Sequence, residues 1–139
     1  MRFLALEEFH DARLQAIDSD SGDRTLKLTI APEGGINRIL VLHGCQLFRV
    51  TDFIAQNVIS RMIVVQGPDI DREDAANRIR WASSLTDASS SMDHDAVQKL
   101  VEAVSRSLLC ILYLEPSWGA ELVAIGARIE EYPAPSLEQ

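Results

Sequence analysis

The sequence is poor in the features that mark specialised proteins. It has two cysteines, Cys45 and Cys110, and both lie inside apolar runs, which favours buried free thiols over a disulfide or a metal pair. None of its seven glycines precedes a Lys-Ser or Lys-Thr pair, so no phosphate-cradling loop is present. The longest apolar run, Leu108 to Leu114, has seven residues, far short of the roughly 20 that a bilayer-spanning helix needs. Met1-Arg2-Phe3-Leu4-Ala5-Leu6 meets Glu7 and Glu8 before an export signal could form. Basic residues are scarce: 13 against 21 acidic ones, for a net charge of −8. That balance opposes binding to phosphate backbones and to anionic membrane surfaces. The expectation is a soluble, cytoplasmic protein without a cofactor, bound to neither nucleic acid nor membrane.

What is present reads as one folded unit. A chain of 139 residues with 47% apolar content can bury its own core without staples. Residues 1–132 form the expected single domain, and Pro133 and Pro135 make residues 133–139 an extended tail. The charge is uneven: residues 36–66 carry +2, whereas residues 108–139 carry −4. An acidic face keeps a protein soluble, and it can also steer and match a basic partner.

Period-two patterning dominates the first half. His10, Ala12, Leu14 and Ala16 alternate with polar neighbours, and Asp18 to Asp23 is a turn. Leu26, Leu28 and Ile30 alternate with Thr25, Lys27 and Thr29, which predicts a half-buried strand paired with the first as a hairpin. A third strand is expected from Asn37 through Ile39-Leu40-Val41-Leu42, with a bulge at Gly44, to Asp52. A fourth covers Val58 to Val65 and ends at Gly67-Pro68. Residues 71–84 predict a modest helix, and Thr86 to Ser91 a loop that caps the next one. In that second helix Val97, Leu100, Val101, Val104 and Leu108 share a dry face. Two strands close the chain, Leu109–Leu114 and Glu121–Glu131, joined by a turn at Glu115 to Ala120. The predicted architecture is α+β: an antiparallel sheet of about six strands, in the order β-β-β-β-α-α-β-β, with one or two helices packed on a face.

Candidate chemistry is sparse. Asp18 and Asp20 have the spacing of a calcium loop, but Gly22 stands at the third ligand, Asp23 at the required glycine and Thr29 at the bidentate acid. His43-Gly44-Cys45 could hold two zinc ligands and Cys110 a third, with no fourth candidate, so no metal site is expected. Ser117 lacks the flanking glycine pair of a nucleophile elbow. Asp93-His94-Asp95 fits helix capping. The remaining constellation is His10-Asp11. A His titrates near neutrality and a carboxylate can orient it, yet neighbours on a strand point to opposite faces. His10 is therefore expected to look inward and Asp11 outward, and no catalytic residues are assigned.

Phe9-His10-Asp11-Ala12, followed by a strand and a hairpin, resembles the opening of small bacterial immunity proteins of polymorphic toxin systems. Asp52 to Ile59 and Leu114 to Leu122 are similar to segments of related single-domain bacterial proteins. The family's opening carries a Trp-Pro pair before the Phe, where this chain has Leu6-Glu7-Glu8. The resemblance implies a cytoplasmic binding protein that neutralises a toxin domain without catalysis, and it transfers no contact residues. From the residues themselves, Trp118 at a hairpin tip, flanked by Glu115 and Glu121, either anchors a protein partner or folds back over the sheet as a lid. Two alternatives stay open. One is an enzyme or small-ligand binder using His10 with a cross-strand acid; the other is a self-associating domain that pairs sheet edges into a homo-oligomer.

Overall fold

The structure is a computed structural model in which residues 9–85 and 92–135 are described. The elements are β1 (Arg13–Asp20), β2 (Thr25–Ala31), β3 (Arg38–His43), β4 (Leu47–Thr51), β5 (Val58–Val65), α1 (Arg72–Ala82), α2 (His94–Ser105), β6 (Cys110–Trp118), β7 (Glu121–Gly126) and β8 (Arg128–Pro133). The fold is a single α+β domain with an antiparallel sheet and two helices. It has eight strands among the described residues, not about six, in the order five strands, two helices, three strands. The two extra strands come from bends in segments that read as single strands. One bend is at residues 44–46, where Gly44 has φ +63°. The other is at Gly126, where an added Cβ would stand 2.7 Å from the Leu42 side chain. The bends face each other: His43 pairs with Arg128 and Leu47 with Ile125, so three residues oppose two. The Ala127 N–H and the Gln46 N–H bond across them to His43 O and Ile125 O. Apolar residues continue on both sides of each bend, so periodicity alone does not reveal it.

The strand order is β4-β7-β6-β5-β1-β2-β3-β8, every pairing antiparallel. Because β3 runs into β4 and β7 into β8, the sheet folds back on itself. Its main core lies between the two halves: Leu26, Leu28, Ile30, Leu40 and Leu42 from one, Met62, Leu112, Leu114 and Leu122 from the other. A register shift between Leu14 and Ala16 exposes Ala16, which simple alternation would bury. β6 runs on to Trp118, so Pro116 lies in a strand and not in a turn. It stands opposite Ile59 at a register shift, where a missing N–H is tolerated. At the other boundary β8 includes Pro133, and the Ala134 N–H still bonds Asn37 O.

A second core packs the helices on the outer face of the β7 half, against Ile111, Val123 and Ile125. Asp71 and Asp93 cap the helices by accepting from the N–H groups of Asp74 and Ala96. The small Ala75, Ala76 and Ala82 bring α1 close to the sheet. Two cation–π contacts pin it there, Arg49 over Trp81 at 4.3 Å and Arg78 over Tyr113 at 4.0 Å, each adding about 0.5–2 kcal/mol. Val97, Val101 and Val104 are buried as their spacing requires. Leu108 is not: α2 stops at Ser105, Ser107 turns left-handed at φ 60°, and Leu108 is left exposed. The loop expected at 86–91 lies outside the described residues. No helix among those described is long and apolar enough to cross a membrane.

Candidate binding surface around Asn57

The three segments that carry the resemblance meet at one end of the sheet. The Asp11 N–H bonds Ile59 O at 2.9 Å, Ile59 N–H bonds Ala12 O at 2.8 Å, and Leu14 N–H bonds Asn57 O at 2.9 Å. Asn57, 2% exposed, ties the other two together. Its Oδ1 accepts from Ile54 N–H (2.9 Å) and Ala120 N–H (3.1 Å), and its Nδ2 donates to Ile54 O (2.8 Å) and Leu14 O (3.3 Å). Gly119 must be glycine for this closure: its φ is +85°, and an added Cβ would lie 2.5 Å from Asn57 Oδ1.

This stitching presents three large apolar side chains to solvent: Trp118 at 64% exposure, Phe53 at 45% and Ile54 at 44%. The anchor position read for Trp118 is thus an exposed one. Phe53 and Ile54 escape sequence reading because they fall between a strand and a turn. An apolar pair in a connecting loop was the signal that could have found them. Asn57 reads in sequence only as a turn residue.

The acids beside Trp118 have internal partners. Arg61 binds Glu115 through two bonds, Nε–Oε1 at 3.1 Å and Nη2–Oε2 at 2.7 Å, and its guanidinium holds the Glu115 carboxyl below its ordinary range. Glu121 accepts from the Tyr113 hydroxyl at 2.8 Å. Burial, and then that carboxylate, push the Tyr113 hydroxyl up to about 12.

His10 does not take the inward position expected of it, whereas Asp11 faces outward as expected. They lie in a turn before β1, closed by the Ala12 N–H on Phe9 O, with Asp11 left-handed at φ 64°. That conformation defeats strand alternation and brings the pair together, Nε2 to Oδ2 at 3.6 Å, both side chains more than half exposed. His10 Nδ1 donates to Ser60 O at 2.9 Å. Phe9 and Ala12 anchor the segment, both fully buried in the main core. Water screens this exposed pair, so Asp11 has little hold on the imidazole.

His43 bonds Glu130 at 3.1 Å, and the Cys45 thiol contacts Leu47 O at 3.7 Å. The Cys110 thiol is buried in the main core, which pushes it up to about 11. Among the described residues, no three His, Cys, Asp or Glu side chains gather into a metal-binding group. No family model, no curated protein and no solved structure matches the chain.

Proposed function

We propose that the chain is a small acidic cytoplasmic protein that binds and neutralises a basic protein partner, in the manner of an immunity protein, without catalysis of its own. The observation that supports this reading is the exposure of Trp118, Phe53 and Ile54 on backbone segments that Asn57 bonds together. Aromatic anchors on pre-ordered backbone, here the end of β6 for Trp118, lose little entropy on binding and supply most of the energy of an interface. The net charge of −8 favours a basic partner through steering and complementarity. Two free cysteines suit a reducing compartment.

The test is co-expression with basic proteins encoded beside it in its native genome, followed by titration of any that it protects against. Trp118→Ala should weaken the complex by about 30-fold or more, corresponding to at least 2 kcal/mol, with the melting temperature unchanged. Undiminished affinity in Trp118→Ala and in Phe53→Ala together would sink the reading.

A further inference from the structure

We propose that the open edge of β8 takes up an extended basic segment of a partner protein as an added strand. This inference stands apart from the Trp118 surface and rests on different observations. β8 ends the strand order and pairs with β3, and no described strand pairs with its other side. The Ala134 N–H bond to Asn37 O sets the phase of the ladder, so residues 128, 130 and 132 exchange bonds with β3. The N–H groups of Ile129 and Glu131 therefore point away from it. Pro133 falls in the same phase, where its missing N–H removes no ladder bond.

A groove of about 690 Å³ borders this edge, with Val64, Gln66 and Cys110 forming its far wall. Side chains from both faces of β8 line the near wall: Ile129 and Glu131 from the core side, Arg128 and Glu130 from the outer side. A strand edge with unpaired backbone groups, flanked by side chains of both faces, is the template for strand addition. On the core side an incoming strand would meet the apolar Ile129, Val64 and Cys110. Beside them is Glu131, already paired with Arg38. On the outer side it would meet Arg128 and then Glu130, which is exposed, bonded to His43 and shares an outer cleft with Asp18, Asp20 and Asp23, so that the acids outnumber the arginine. Alternating apolar and basic side chains match these two rows. A second copy matches poorly. The antiparallel phase that uses the Ile129 and Glu131 N–H groups of both copies sets Glu130 against Glu130, a like-charge pair.

The test uses the full chain and a dye-labelled blocked peptide, Lys-Val-Lys-Val-Lys-Val. Expected are saturable binding, and a loss of about tenfold or more with Ile129→Pro, which removes an outward N–H while keeping the β3 ladder. A similar loss is expected with Glu130→Lys. Should Ile129→Pro not fold, the wild-type protein still decides: N-methylating all the valines or all the lysines must abolish binding in one of the two peptides. Trp118→Ala should bind the peptide normally, which separates this site from the one above. Absence of binding, equal binding of both N-methylated peptides, or equal binding of a Glu-Val analogue would overturn the proposal. So would a concentration-dependent dimer of the chain alone that Glu130→Lys disrupts.

Discussion

Truncating Asn57 to alanine removes one side chain and strands four backbone groups. The N–H groups of Ile54 and Ala120 and the carbonyls of Ile54 and Leu14 all lose their partner. A net hydrogen bond contributes about 0.5–1.5 kcal/mol, and a donor left buried costs more than that. Ala120 is buried, whereas the Ile54 groups are near enough to the surface for water to replace part of the loss. The total is about 3–4 kcal/mol. At roughly 2.1 cal/mol/K of unfolding entropy per residue, a chain of this size should melt about 10–14 °C lower. Circular dichroism melts and urea titration measure both quantities. Asn57→Asp sharpens the test. It keeps an acceptor for the two N–H groups but turns a second oxygen toward the Leu14 and Ile54 carbonyls. It should be at least as destabilising as alanine at neutral pH. Acidification should restore part of the loss, because burial raises the new carboxyl's pKa and its protonated form can donate. Both variants should also weaken partner binding, although every contact side chain is intact. A melting drop below about 3 °C for Asn57→Ala would refute the view that these bonds hold the surface together.

Gly119→Ala should cost about 2–4 kcal/mol, since the new Cβ clashes with Asn57 Oδ1 at 2.5 Å and φ is +85°; a near-normal denaturation midpoint would count against the tight closure. Iodoacetamide at pH 8.5 should label Cys45 long before Cys110, whose thiol is buried and pushed up to about 11. Peptide mass mapping checks the order, and equal labelling would contradict the burial. The stability difference between wild type and Glu115→Gln should exist at neutral pH and shrink on acidification. The Arg61 guanidinium lowers the folded-state carboxyl pKa, so its contribution is present above the unfolded value and is lost as pH falls through the folded one. A difference that widens below about pH 4 would reverse that sign.

Local chemistry made much of the fold legible. The alternation of Leu26, Leu28 and Ile30 marks β2, the apolar-rich segment Val58 to Val65 is β5, and the spacing of Val97, Val101 and Val104 orients α2. Each depends on side chains within a few residues of one another, where 2.0 and 3.6 periodicities are visible. Legibility failed where the backbone departs from a period. The left-handed turns at Asp11 and Ser107 put His10 outside the core and Leu108 beyond its helix. The Gly44 and Gly126 bends split two strands, and the register shift at Ile59 admitted Pro116 into β6.

By itself the sequence determined the class of the fold and most of its strands, because these follow from local patterning; the cap of the second helix, expected within 86–91, is Asp93, and whether Trp118 faced solvent was left open. It could not determine which strands would end the sheet or which loops would meet. Among the described residues β8 ends the strand order because paired bends carry two long segments from one half of the sheet to the other. The Trp118 surface exists because Asn57 binds backbone 43 residues before it and 63 after it. A hydrogen bond between distant residues leaves no period in the chain, and only the closed tertiary structure brings its partners within reach.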